Sequence, residues 1–296
     1  LLDRNGAAIV SPRQAETLPE EDEMTIARTV ERTAKYLRRN LRKTYRRPAP
    51  ASRTKPDLVL LDVAPGVAPS GKPPVRIFLG TEPAQHRAER IFVWSVEKAR
   101  DPSRVYEIHL MKDLIGFNRW WWTTGFTNYR LAIPHLAGGS GRAIYNDVDQ
   151  IYLADPGELF DTEMGGHGFL AIAAQNRTGG VPFDSSVMLI DCARMRAVWT
   201  LAEAQNERKS VLLNKAAAMP GIWGRLAPEW NARDAEYVAG RSKLIHYTKL
   251  RTQPWQPFPS LYDYRIAPEG EVWLELERTA NAAGYQVRVA AESKAA

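Results

Sequence analysis

Two aspartates separated by one apolar residue, Asp147 and Asp149 around Val148, follow an apolar run in RAIYNDVDQIYLAD. A carboxylate is expensive to strip of water unless a cation, a proton or hydrogen-bond donors compensate it, so a pair of them beside a buried run calls for a reason. Residues two apart in extended chain point to the same side. Asp147 and Asp149 can therefore offer oxygens to one ion while Val148 turns to the core. Carboxylate oxygens suit the hard ions Mg²⁺ and Mn²⁺, which often complete their shells with water and substrate phosphates. The plain alternative is a solvated turn between two short strands, and a chain of this composition contains an Asp-x-Asp about once by chance.

The elements that must hold such a pair are legible around it. Short runs rich in β-branched and aromatic residues recur, VRIFLG, YEIHLM, AIYN, QIYLA, FLAIAA, SVMLID and KLIHY, and helical stretches separate several of them. In AQHRAERIFVWSVEKA, residues Ala88, Ile91, Phe92, Ser95 and Val96 share one helical face. Buried strands alternating with helices predict a three-layer α/β/α domain around a mostly parallel sheet. The ligand crevice of such a sheet lies beyond the carboxyl ends of its strands, where Asp147 and Asp149 are expected.

The 296 residues and the net charge of +6 are those of one large globular domain with an annex. The charge is concentrated in MTIARTVERTAKYLRRNLRKTYRR, residues 24 to 47, where nine Arg or Lys stand against one Glu. That segment is +8, which leaves the remainder at −2. Its apolar residues Ile26, Val30, Ala34, Leu37, Leu41 and Tyr45 form a helical stripe, the pattern of a helix lying on an anionic membrane surface or packing on its own domain. Nucleic acid is not the expected partner, since only Tyr36 and Tyr45 offer stacking. The connectors PAPASRTKP and APGVAPSGKPP flank LVLLDV, a short strand or a docked clip. The expected division is an extension over 1–73 and a main domain over 74–296.

No apolar run approaches the roughly 20 residues of a membrane-spanning helix, and the opening LLDRNGAAIVSPRQ has no signal-peptide pattern. The single Cys192 forms no intrachain disulfide and excludes a multi-cysteine zinc site, as expected of a reducing compartment. These features predict a cytoplasmic protein, with a peripheral place on the inner face of the cytoplasmic membrane if residues 24–47 bind lipid. The absence of an initial methionine is what a piece of a longer chain would show.

The order of motifs resembles the retaining glycosyltransferases of family 8, the glycogenin and lipopolysaccharide galactosyltransferase group. The matching pieces are VRIFLGTEPAQHRAERIFVWSV, TNYRLAIPHLAGGSGRAIYNDVDQIYLADPGELFD, FDSSVMLIDCARMR, LAPEWN and KLIHYTKLRTQPWQP, spanning about residues 74 to 258. The resemblance implies the GT-A fold, a Rossmann-like nucleotide-diphospho-sugar transferase, and a divalent metal held by Asp147, Asp149 and His246. An imidazole ligand favours Mn²⁺ over Mg²⁺. It further implies a UDP-sugar donor, with Thr81, Glu82, Arg130 and Val148 at the nucleotide, Lys249 and Arg251 at the diphosphate, and Gln175, Asn176 and Asp184 at the sugar.

The departures are as informative. After the histidine the family has a glycine and then Lys-Pro-Trp, whereas Gln253 stands in place of that lysine. Ahead of a Leu-Asn pair the family shows Asp-Gln-Asp, whereas this chain reads Lys209, Ser210, Val211. No carboxylate survives there, so the catalytic group is unassigned, with Asp184 the candidate and Glu203 or Glu207 in play if the alignment slips. The run GFNRWWWTTGF cannot turn three tryptophans to one core, so it either packs under a long loop or lends a ring to an acceptor, a glycan or a lipid-linked sugar. Two other classes remain open. A haloacid dehalogenase-like phosphohydrolase also uses Asp-x-Asp, although near the start of its domain, and a GT-A-fold binding protein would hold a sugar nucleotide without turnover.

Overall fold

A computed structural model describes residues 51–174, 180–249, 253–255 and 267–290. Among the residues singled out above, the segment 24–47, Gln175, Asn176 and Arg251 lie outside these stretches.

The apolar runs become strands because each buries at least one face. Seven strands form the main sheet: β1 (Asp57–Leu61), β2 (Val75–Gly80), β3 (Tyr106–Met111), β4 (Arg142–Asp147), β6 (Phe169–Ala173), β7 (Phe183–Asp191) and β8 (Trp223–Arg225). Their order is β1-β3-β2-β4-β7-β6-β8. Strands β3, β2 and β4 are parallel, whereas β7 runs antiparallel to both β4 and β6. The sheet is thus mixed, with its parallel part where the helical crossovers are. A second sheet, β5-β10-β9, joins β5 (Gln150–Tyr152), β10 (Leu244–His246) and β9 (Ala232–Arg233).

The run LVLLDV answers the question left by the connectors. Its first four residues with Asp57 make β1, which pairs antiparallel with β3 from Asp57 opposite Leu110 to Leu61 opposite Tyr106. Contacts accordingly gather residues from Pro50 onward into one compact unit, so the sheet recruits chain from before residue 74.

The helices fall into two groups. Helix α1 (His86–Ala99) buries Ala88, Ile91, Phe92, Ser95 and Val96, the face read from its spacing, and packs against β5 and α7 (Pro268–Ala282). Arg87 pairs with Glu277 across that contact at 2.6 Å. Helix α2 (Tyr129–Leu136) lies over β2 and β4 and meets α4 (Cys192–Met195) and α5 (Leu201–Asn206), with the single turn α3 (Pro156–Phe160) between β5 and β6. A last helix, α6 (Lys209–Ala217), brings Leu212, Leu213 and Ala216 to the core. Among the described residues no helix is long and apolar enough to cross a membrane.

Candidate metal and sugar-nucleotide site

Asp147 is the last residue of β4, and the chain turns there from one sheet into the other. Val148 is buried, and its N–H donates to the carbonyl of Gly80 at 3.1 Å, which pegs the turn to the end of β2. Asp149 is held from the other side, its carbonyl accepting from Tyr247 N at 2.9 Å. That bond continues the antiparallel pairing of β5 with β10, in which His246 stands opposite Gln150. The register alone therefore carries a histidine nearly a hundred residues away to the two aspartates. One ligand atom each from Asp147, Asp149 and His246 lie within 4.8 Å of one another.

The oxygens differ in what holds them. Asp147 Oδ1 accepts from Arg130 Nη2 at 2.8 Å and from the Tyr145 hydroxyl. Arg130 is itself fixed, donating to the carbonyls of Thr127 and Ser185 at 3.0 and 2.6 Å, with its guanidinium 4.5 Å from the Tyr145 ring centroid. Among the described residues Asp149 Oδ1 is buried with no hydrogen-bond partner, and His246 Nε2 lies 3.3 Å away. On the far side of the ring, Nδ1 is 3.0 Å from Asn231 Oδ1, and Asn231 donates to Ser186 Oγ at 3.2 Å. An Nδ1–H spent on that amide oxygen leaves the Nε2 lone pair facing Asp149. A lone pair set against an orphaned carboxylate oxygen is unfavourable unless a proton or a metal ion lies between them, and two carboxylates with an imidazole are a donor set that fits a divalent ion.

The titration of these groups carries the same signature. Burial raises the Asp147 carboxyl, Arg130 opposes the rise, and Asp149 adds to it. Burial works against a charged His246, but Asp149, Asp147 and Asp184 outweigh it and raise its pKa. Like charges held together in a partly dry site are what a bound cation relieves.

A cavity of about 390 Å³ adjoins the cluster, lined among others by Asp184, Ser185, Lys209 and Arg233. Asp184 begins the chemistry of β7: its Oδ1 accepts from Ser186 N at 2.8 Å and its Oδ2 lies 3.9 Å from Arg233 Nη1. Burial opposes its ionisation, yet the Ser186 hydrogen bonds and the neighbouring His246 and Arg233 keep its pKa below the usual range.

The remaining expected residues are placed as follows. Thr81 sits buried just past β2, its hydroxyl donating to Glu89 at 3.0 Å, and Glu82 accepts from Gly125 N at 3.1 Å. Lys249 is exposed, with its N–H directed at Asp234. Gln253 is buried and clamps the carbonyl of Tyr247 at 2.7 Å, a fixing role in place of the lysine charge expected at that position. Trp122 packs under Phe117 and Tyr129, whereas Trp120 and Trp121 are 69% and 45% exposed, with Arg208 stacked 4.0 Å above Trp121. Glu203 caps α5 by accepting from Thr200 and pairs with Lys215, and Glu207 is exposed. Neither lines the cavity.

Sequence reasoning passed over Tyr145, Asn231, Arg233 and the cavity side of Lys209. Tyr145 had a signal, since it stands two before Asp147 and so shares its side of the strand. Asn231 closes the family-like LAPEWN without being singled out there, and nothing in its neighbourhood marked Arg233.

No family model matches the chain. Protein CDI of Arabidopsis thaliana is 24% identical over 233 residues, 69% of this chain and 86% of that protein. Among solved structures, the glycosyltransferase GlyE of Streptococcus pneumoniae TIGR4 matches with a TM-score of 0.50 at 16% identity, over 75% of this chain and 66% of that one. The galactosyltransferase LgtC, solved with donor and acceptor sugar analogues, matches with a TM-score of 0.49 at 14% identity, over 74% of this chain and 98% of that one. The fold is GT-A. In this sheet Asp147 closes the fourth strand of the chain, not the opening strand that the haloacid dehalogenase alternative requires.

Proposed function

We propose that the protein is a glycosyltransferase that moves a hexose from a UDP-sugar to a hydroxyl of a glycan or lipid-linked acceptor, with retention of configuration and with Mn²⁺, or Mg²⁺ in its place, as cofactor. The observation that carries the reading is the Asp147, Asp149 and His246 cluster, with its orphaned Asp149 oxygen, at the carboxyl edge of a GT-A sheet beside a polar cavity. Retention and the uridine base rest on the resemblance of the motifs alone.

In the reaction the bond from the anomeric carbon to the distal phosphate oxygen breaks, and its electron pair leaves with the diphosphate. The acceptor oxygen bonds to that carbon and gives its proton to a leaving phosphate oxygen. Asp147, Asp149 and His246 would hold the metal, which supplies positive charge to the diphosphate when bound. Arg130 keeps the Asp147 carboxylate turned to the cluster, and Asn231 keeps the His246 ring oriented. Asp184 and Ser185 line the cavity as acceptors and donors for sugar hydroxyls. Thr81 and Glu82, at the end of β2, and Val148, through its backbone, define the nucleotide side, and Lys249 adds charge from the segment after β10. Trp120 and Trp121 offer exposed rings to the acceptor.

The test is sugar-nucleotide turnover with and without Mn²⁺, in the wild type and in Asp149→Ala. Metal-dependent transfer lost in the variant is expected. Equal turnover in all four arms would overturn the metal role, and nucleotide binding without turnover would make the protein a binder.

For residues 24–47 only charge and spacing speak, and they support contact with anionic lipid. A chain lacking everything up to Arg47 should then sediment less with anionic vesicles, and unchanged sedimentation would reject the anchor.

A further inference from the structure

The charged side chains of the site cancel in pairs, with one exception. Arg130 meets Asp147 at 2.8 Å, Arg233 lies 3.9 Å from Asp184 and 3.1 Å from Glu236, and Asp149 faces His246 at 3.3 Å. Lys209 lines the same cavity as Asp184 and Arg233, and among the described residues its ammonium makes no hydrogen bond or ion pair. Among the described residues no carboxylate is paired with it.

Its position makes that charge harder to keep. Lys209 is the first residue of the nine-residue helix α6, after Arg208 at the N-cap. No side chain caps that end, and no acidic residue stands in its first turn. Helix N-termini carry partial positive charge and free N–H groups, so a lysine with an arginine before it is the reverse of the stabilising pattern. Burial pushes the Lys209 ammonium down to about 8, and Arg130 adds to the fall while Asp147 and Asp184 oppose it. The ammonium and the uncapped helix end add positive potential beside an Arg130 whose charge Asp147 already meets.

Once a divalent ion is bound, the charges of the site call for a diphosphate. Asp147, Asp149 and Asp184 carry three negative charges against Arg130, Arg233 and Lys209. A divalent ion then leaves the site doubly positive, which a sugar-nucleotide diphosphate neutralises. As the glycosidic bond breaks, one more negative charge gathers on the distal phosphate, beside the sugar cavity that Lys209 lines.

We propose that Lys209 is a catalytic residue of the transfer, donating hydrogen bonds to the distal phosphate and stabilising the charge that forms there as the anomeric carbon–oxygen bond breaks. The bond's electron pair stays on that phosphate oxygen, the lysine keeps its proton, and the acceptor's proton neutralises the leaving group. The inference rests on the sugar-nucleotide reading and supplies the cation that Gln253 does not.

The test compares wild type, Lys209→Gln and Lys209→Arg with UDP-glucose, UDP-galactose and UDP, all with Mn²⁺. For Lys209→Gln, kcat should fall about 100-fold or more, as for loss of one oxyanion donor. UDP affinity should fall at least as much as UDP-sugar affinity, because free UDP carries the product charge. Lys209→Arg should restore at least tenfold of the lost kcat, and Lys209→Gln should melt no lower than wild type, since it removes an uncompensated charge. A kcat within threefold of wild type, or a loss confined to UDP-sugar with UDP binding intact, would overturn the role. Should the wild type neither bind nor turn over a sugar nucleotide, the transfer reading itself falls; transfer by both proteins alike sinks the lysine alone.

Discussion

The sheet has a cavity at each end, and the larger is the less interesting. At the amino ends of β2 and β4 a cavity of about 500 Å³ is lined by Arg76, Glu107, Arg142 and Asp161 among others, against about 390 Å³ at the carboxyl ends. Its arginines and Asp161 are all hydrogen-bonded, and Glu107 lies 3.6 Å from His109 Nε2. Arg76 donates to the carbonyls of Arg142, Ala137 and Ser140 at 2.9, 2.9 and 2.6 Å, and Arg142 to those of Phe160 and Thr162. Asp161 accepts from Arg104 and Lys72 at 2.9 Å. At the carboxyl end an Asp149 oxygen and the Lys209 ammonium are left over. A fold satisfies its polar groups where structure alone is served, so the unsatisfied end, not the roomier one, is where a ligand completes the molecule.

The largest effect that tests this contrast is expected from Asp147→Ala. It removes a metal ligand and also strands the buried Arg130 guanidinium, so unfolding free energy should fall by about 3–5 kcal/mol, as for a broken buried pair. Asp149→Ala removes the other ligand but strands no paired cation of that kind, so it should abolish Mn²⁺ binding at little cost in stability. Urea denaturation and Mn²⁺ titration calorimetry separate the two. Equal destabilisation by both would mean that Asp149 is as structurally satisfied as Asp147, and the contrast between the ends would fail.

How much of this was legible in the sequence follows from the range of the interactions. The strands, the α1 face and the Asp-x-Asp turn are local patterns, and the structure has them where the periodicity places them. The antiparallel place of β7 beside β4 is a long-range pairing that no local pattern encodes. His246 reaches the aspartates through the β5–β10 register, and only the likeness of its surrounding motif suggested so. LVLLDV was equally hard to place, because this edge strand fully buries only Val59 and Leu61. Lys209 drew notice for the carboxylate it lacks, while its value lies in an orientation toward the cavity that residue type does not reveal.

A smaller effect is expected at the hinge of the site. Gly80 ends β2 where a Cβ would meet the Tyr145 hydroxyl at 2.5 Å and the Phe126 ring at 2.6 Å. Gly80→Ala should therefore destabilise by about 1–3 kcal/mol through overpacking. It should also weaken Mn²⁺ binding, because Tyr145 and the Val148 peg both bear on that residue. Unchanged metal affinity in a destabilised variant would show that the turn is positioned without Gly80.

Trp121→Ala sharpens the contrast on the acceptor side. The indole is half-exposed and stacked by Arg208, an exposed cation–π contact contributing about 0.5–1 kcal/mol. Stability should change little, while the acceptor KM rises about tenfold if a sugar ring stacks there, with the donor KM unmoved. A change in donor KM instead would place the ring on the nucleotide side.

The smallest effect belongs to the satisfied end, and it is the prediction most able to break the comparison. Asp161 is held below the ordinary carboxylate range: burial is the largest single influence and works against its ionisation, but the hydrogen bonds and charges of Arg104 and Lys72 together prevail. A depressed folded-state pKa contributes stability above the unfolded value and loses it as pH falls through the folded one. The carboxylate is 39% exposed, so screening limits its contribution to about 1 kcal/mol or less. Asp161→Asn should thus melt slightly below wild type at neutral pH, and the gap should close as pH falls below 3.8, the ordinary value for this group. Turnover should stay within about twofold, as expected of a surface pair remote from the chemistry. A large loss of turnover would mean that a fully bonded cavity takes part in the reaction, and unsatisfied charge would no longer separate the working end of this sheet from the structural one.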